Sequence, residues 1–182
     1  MANQEKLDIA YMECAFAMAK LSHAVRKQVG AILVSPGGGI IAEGINGTPA
    51  GFDNCCEHTE FKMRSKSYHP GCSEGEEWVR EFCTQQEDGT WLTPRHNIVD
   101  EVLVTNPDVL HAESNAIAKV ARSTNSSVGA TLYCTLSPCF DCAKLIIQAG
   151  IVRVVYAEEY RKTDSLDLLR KAGIAVDKLD LE

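Results

Sequence analysis

Three things are scarce in this sequence, and each scarcity removes a class of function. No apolar run approaches the roughly 20 residues that a bilayer-crossing helix requires. The opening MANQEKLDIA has neither a basic stretch nor a long apolar core, so a secretory leader is not expected. Basic side chains are outnumbered, 18 Lys and Arg against 25 Asp and Glu, giving a net charge of −7. Such a chain is poorly suited to wrapping a nucleic acid polymer, whose binding rests on phosphate neutralisation. The expectation is a soluble, cytoplasmic protein that engages no membrane. In that reducing setting the eight cysteines read as thiols, metal ligands or core residues rather than a disulfide framework.

Internal repeats and low-complexity tracts are also absent, and 182 residues suit one domain with room for a proper core. Leu7, Tyr11, Cys14, Met18 and Leu21 recur at three- and four-residue steps, the stripe of an amphipathic helix. VGAILV (29–34) and IIAEGI (40–45), joined by SPGGG, read as a hairpin of strands. From Gly47 to about Pro107 this regularity is lost. Some sixty residues are too many for a plain loop, so an insertion at about 52–107 should carry function or structure of its own. Ser73 and Glu76 resemble a capping box, which places a short helix at about 74–86. Beyond it the pattern predicts helix 111–122, strand 130–136, helix 138–149, strand 152–157, helix 164–172 and strand 174–179. Gly150 and Gly173 stand where helix C-caps are wanted. Strands separated by helices are joined by crossovers, so the last strands should run parallel. The fold class is α/β with a mixed sheet.

The chemistry concentrates in TLSPCFDC (135–142). A lone CxxC serves disulfide exchange, a structural zinc ribbon or half of a catalytic metal site, and the spacing alone does not choose. With Pro138 at the first helical position, Cys139 and Cys142 would face the same way from the first turn of a helix. A helix N-terminus favours the thiolate form that a metal ligand needs. No second CxxC exists to close a ribbon; Cys55 and Cys56 are adjacent. Upstream, LHAESNAI sets His111 and Glu113 at the start of another helix. Read singly, that histidine is a capping or packing residue and that glutamate suits the positive helix end.

Together, HAE and PCxxC resemble the H-x-E…P-C-x-x-C signature of zinc-dependent nucleobase deaminases. The resemblance implies that His111, Cys139 and Cys142 hold Zn2+, leaving its fourth position to water, with Glu113 as the catalytic proton carrier. GINGTPAGFDNCC (44–56), HAESNAI (111–117), TLSPCFDCAKLIIQAGI (135–151) and AEEYRKTD (157–164) together are similar to the deoxycytidylate deaminases. Ile45 stands where that family commonly has tyrosine, and residues 57–107 match poorly.

This resemblance implies a three-layer α/β/α cytidine-deaminase-like fold with a five-stranded mixed sheet, and hydrolysis of dCMP to dUMP. It further implies a homo-oligomer, commonly a hexamer, activated by dCTP and inhibited by dTTP. Asn46 would contact the nucleotide, Ala112, Ser137 and Pro138 would line its pocket, and Tyr160 would cover it. Asn46-Gly47 is also a strong turn dipeptide. The effector site is expected around Lys27, Gly44 and Asn46, with Arg122 at a subunit contact. Some members bind a second, structural metal, for which Cys55, Cys56 and His96 are candidates. A tRNA adenosine deaminase shares HAE and PCxxC but would need a basic RNA-facing surface. A free-cytidine deaminase is disfavoured by the helix between the last strands, and a non-catalytic deaminase-like subunit would not need Glu113.

Overall fold

The computed structural model describes residues 2–63, 79–81, 83–93, 98–160 and 163–180. In chain order the elements are α1 (Ala2–Ala19), β1 (Gly30–Val34), β2 (Ile40–Ile45), β3 (Glu57–Met63), β4 (Thr84–Gln85), β5 (Trp91–Leu92) and β6 (Ile98–Thr105). They continue as α2 (Ala112–Ala121), β7 (Thr131–Leu136), α3 (Phe140–Gln148), β8 (Arg153–Glu158), α4 (Asp164–Lys171) and β9 (Ala175–Lys178). The contacts group into two units, residues 1–54 with 108–182, and residues 55–107.

The larger unit is built on a five-stranded sheet in the order β2-β1-β7-β8-β9. β1 runs antiparallel to both β2 and β7, whereas β7, β8 and β9 are parallel. The mixed sheet with parallel last strands is therefore present. Helix α1 packs on one face, where Met12 and Ala15 meet Ile32, Val34, Tyr133 and Val155. Helices α2, α3 and α4 cover the other through Ala112, Ala116, Ala143, Ile146, Leu166 and Leu169. Helices α3 and α4 end as the glycines predict, with Gly150 and Gly173 at φ 71° and 82°, a conformation that costs other residues a Cβ clash.

Helix α1 uses only part of the stripe its large apolar residues mark: Tyr11 and Met18 pack against the core, but the most deeply buried face lies to one side of it. Leu7, Cys14 and Leu21 are exposed, while Asp8, Met12, Ala15 and Ala19 are buried. Close approach explains the alanines: a Cβ on Gly30 would lie 2.0 Å from the Ala15 carbonyl oxygen. Partnership explains the aspartate, which receives two N–H groups of Arg153, each at 2.8 Å, and the Tyr133 hydroxyl at 2.6 Å.

The smaller unit is a four-stranded antiparallel sheet in the order β3-β6-β5-β4. Val79, Trp91 and Val99 are buried at its core, with Phe61 and Cys83 packed against them. The helix expected at 74–86 survives only at residues 79–81 of those described, because Thr84–Gln85 pairs as β4. Its earlier part, Ser73 and Glu76 included, lies outside the described residues.

Candidate active site

Two helix N-termini converge at the carboxyl ends of the sheet's parallel strands, the usual ligand crevice of an α/β protein. His111 is the N-cap of α2, with extended backbone at φ −76° and ψ 155°. Cys139 is the N-cap of α3, extended at φ −73° and ψ 171°, and its sulfur accepts the Cys142 N–H at 3.5 Å. Helix α3 thus starts at Phe140, two residues later than expected, and Pro138 precedes the cap instead of opening the helix. The correction has a physical basis. An extended cap residue folds its side chain back over the first turn to meet the free N–H groups, which brings Cys139 and Cys142 to one point. Both positive helix ends then favour thiolate there.

The Nδ1 atom of His111 lies 3.3 Å from Cys139 Sγ and 3.6 Å from Cys142 Sγ. A tetrahedral zinc, bonded to sulfur at ~2.3 Å and nitrogen at ~2.0–2.1 Å, would separate such ligand atoms by about 3.6 Å. The donor set fits zinc in both chemistry and spacing. Among the described residues these three side chains form the one group of three or more His, Cys or carboxylate residues close enough to share an ion. The hydrogen bond from the Cys142 thiol draws Cys139 well below the ordinary thiol range, while that bond and burial push Cys142 up. A divalent cation bound by both sulfurs would displace any thiol proton they carry. The bond to Cys139 also raises His111 above its ordinary value.

Glu113 sits in the first turn of α2, only 3% exposed. Burial pushes its carboxyl up from 4.5 to about 7. A carboxyl poised there can both take and return a proton near neutral pH, as a general acid–base requires. Ala112, between it and His111, is fully buried.

The remaining sequence-nominated residues fall into separate places. Ser137 is buried at the end of β7 and laces it to the segment leaving β8: its N–H donates to the Glu158 carbonyl at 2.8 Å, and its hydroxyl accepts the Tyr160 N–H at 2.7 Å. Tyr160 itself is 40% exposed. The Asn46 side chain braces the loop between α1 and β1. Its Oδ1 accepts from the Val29 N–H and lies 2.8 Å from the Ser22 hydroxyl, while its Nδ2 donates to the Lys27 carbonyl. The Asn-Gly pair makes no turn; Gly47 bridges to Leu110, and the turn follows at Pro49–Phe52. Lys27 pairs with Glu158, Gly44 lies under α2, and Arg122 is the C-cap of α2. In the smaller unit the Cys55 thiol donates to the Glu57 carbonyl and Cys56 is buried; His96 lies outside the described residues. Sequence reasoning overlooked Ser22 and Asn115, whose amide donates to the Ile45 carbonyl at 2.9 Å. The available signal for Asn115 was a polar side chain in the second turn of a helix otherwise rich in alanine.

Comparison with known proteins agrees with this geometry. The profile of the cytidine and deoxycytidylate deaminase zinc-binding region matches residues 5–158. The deoxycytidylate deaminase of Enterobacteria phage T4 is 36% identical over 169 residues, covering 91% of this chain and 86% of the phage protein. The human deoxycytidylate deaminase is 30% identical over 173 residues, covering 92% and 76% of the two chains. A crystal structure of dCMP deaminase from cyanophage S-TIM5, in complex with dCMP and dUMP, superposes with a TM-score of 0.67 at 38% identity, covering 95% of this chain and 96% of that one. From its folded site and from these relatives alike, the chain belongs to the cytidine and deoxycytidylate deaminase zinc-binding family.

Proposed function

We propose that this protein hydrolyses dCMP to dUMP and ammonia, with zinc held by His111, Cys139 and Cys142 and with Glu113 carrying the protons. The observation that carries the reading is a buried carboxyl in the same helical turn as one residue of a three-residue His/Cys/Cys cluster. Zinc bound by three protein ligands supplies a Lewis acid that lowers the pKa of a water from 15.7 toward ~7. Glu113 accepts a proton from that water and delivers it to the ring nitrogen beside the amine-bearing carbon. The water's oxygen bonds to that carbon, and Glu113 would then carry the new hydroxyl's proton to the amine, so that the C–N bond breaks, ammonia departs and the carbonyl of dUMP remains. Burial is what fits it to both transfers, since an exposed carboxylate holds a proton too weakly to return it.

Around this centre, Ala112, Ser137 and Pro138 would line the nucleotide pocket and Tyr160 would cover it. Asn46, with one amide hydrogen not used by the loop it braces, would contact the nucleotide. The family resemblance supports activation by dCTP and inhibition by dTTP, with Lys27, Gly44 and Arg122 near effector or subunit contacts, in a cytoplasmic homo-oligomer of six chains. It also supports a second metal in the smaller unit, with Cys55, Cys56 and His96 as ligands. The reading is tested by measuring deamination of dCMP, deoxycytidine and an adenosine-containing RNA stem-loop, each with and without dCTP as effector, and of dCTP by itself. Preference for dCMP is expected; preference for the RNA or the free nucleoside would overturn it.

A further inference from the structure

The helix that carries His111 and Glu113 is seated on β2 in an unusual way. At Gly44 the strand presents a bare Cα to the helix: a Cβ there would lie 2.0 Å from the Ala112 carbonyl oxygen and 2.7 Å from the Ala116 nitrogen. Contact with main chain, which cannot swing aside, fixes the depth at which α2 rides on the sheet. A bare strand surface does not by itself stop a helix from sliding along its axis. Asn115 supplies the stop, its Nδ2 donating at 2.9 Å to the Ile45 carbonyl, one residue beyond Gly44. Just before the helix, Leu110 and Gly47 exchange two main-chain hydrogen bonds, at 2.9 and 3.1 Å.

We propose that Gly44 and Asn115 form a latch that sets the depth and axial register of α2 on β2, and that they are positioning residues for Glu113 and His111. One residue of axial slip moves a helical side chain by ~1.5 Å, and a misplacement of about 1 Å can cost a hundredfold in rate. The ligand cluster needs the same precision, because its sulfurs come from a different helix and cannot follow α2. The opposite face of the sheet offers a built-in comparison. Gly30 receives α1 with the same closeness, 2.0 Å to the Ala15 carbonyl oxygen and 2.7 Å to the Ala19 nitrogen. A methyl group at either glycine imposes the same steric insult, but only the one at Gly44 pushes on the helix that bears Glu113.

The proposal rests on the deaminase reading, and its test separates the two. Zinc-loaded wild type, Gly44→Ala, Gly30→Ala and Asn115→Leu are compared for kcat and KM with dCMP, zinc content, melting temperature and amide hydrogen exchange over residues 110–117. In Gly44→Ala and Asn115→Leu, kcat should fall about tenfold to a hundredfold with KM changed less than about threefold. Zinc in excess should still load each variant, but more weakly than wild type because His111 moves with α2 while the sulfurs do not, and exchange over 110–117 should quicken. Gly30→Ala should lower the melting temperature while leaving kcat and that exchange at wild-type levels. Asn115→Leu with wild-type kcat and exchange, or Gly30→Ala losing kcat by the same factor as Gly44→Ala, would overturn the latch. If Gly44→Ala does not fold, Asn115→Leu decides alone. A wild type that leaves dCMP untouched would sink the deaminase reading, and the exchange rates would still decide the latch.

Discussion

Replacing Asp8 with asparagine tests the network that fastens α1 to the sheet. The Asp8 side chain is only 8% exposed. One of its oxygens accepts from Arg153 Nη1 at 2.8 Å, the Tyr133 hydroxyl at 2.6 Å and Gln4 Nε2 at 2.9 Å; the other accepts from Arg153 Nη2 at 2.8 Å. Asparagine keeps the volume but removes the charge and turns one acceptor into a donor facing donors. Breaking a buried ion pair by removing one partner costs ~3–5 kcal/mol when the other charge is stranded. Arg153 is not wholly stranded, because Asp177 still lies 2.7 Å from its Nε. The lower end of that range, ~3 kcal/mol, is therefore the expectation. For a chain of this length each kcal/mol moves the melting temperature by ~2–4 °C, so a fall of ~6–12 °C follows.

The pH dependence sharpens the test. Burial alone would raise the Asp8 carboxyl, but hydrogen bonds from Arg153, Tyr133 and Gln4 outweigh it and hold the group below 3.8. A depressed carboxyl contributes its stability in full above its unfolded value and loses it as the pH falls through the folded one. The gap between wild type and Asp8→Asn should thus be widest near neutrality and close as the pH drops below 3.8. Thermal melts across this range measure it. Zinc content and turnover should not change, since α1 covers the sheet face opposite α2 and α3. A melting difference under about 2 °C at neutral pH, or one that does not narrow in acid, would refute the reasoning.

Two further outcomes concern the site itself. Titrating zinc into metal-free protein near pH 7 should release at least about one proton, because the thiol of Cys142 must be displaced; calorimetry in buffers of different ionisation enthalpy measures it, and release of none would count against thiolate ligation. In the metal-free protein, holding Glu113 at about 7 instead of 4.5 means that its stability contribution is present at low pH and lost as the pH rises through that interval. Glu113→Gln should therefore be more stable than wild type at pH 8, by roughly 3 kcal/mol in urea denaturation, and equal to it at pH 4.5; equal stability at both would show that burial does not penalise this carboxylate.

Much of the larger unit was legible because its local signals agree with its tertiary structure. Capping glycines, buried β-branched strands and the two chemistry-bearing segments all point the same way. The α1 face was read only in part, Tyr11 and Met18 packing inward but Leu7, Cys14 and Leu21 not, because pattern reading weights large apolar residues. The packing uses Ala15 and Ala19 against a glycine, and buries an aspartate only because Arg153 arrives from a strand more than a hundred residues later. Pro138 suggested a helix start, yet Cys139 takes the cap because its sulfur has an N–H to receive. In the smaller unit, β3 reads EHTEFKM, where Glu57, Glu60 and Lys62 leave only Phe61 and Met63 apolar, too few to mark a strand that pairs along its full length with β6. The His111, Cys139 and Cys142 cluster was legible as residue types, but its convergence depends on two helix caps meeting, which spacing along the chain does not encode. Asn115 and Gly44 were invisible as partners for the same reason.

The central claim is that Glu113 moves the protons at a zinc site it does not help to build. The most direct measurement is the zinc content and dCMP turnover of Glu113→Ala beside wild type. Zinc content should be unchanged and kcat should fall by ~10²–10⁴-fold, the usual worth of a positioned general acid–base. Zinc-loaded Glu113→Ala that deaminates dCMP at the wild-type rate would contradict the account.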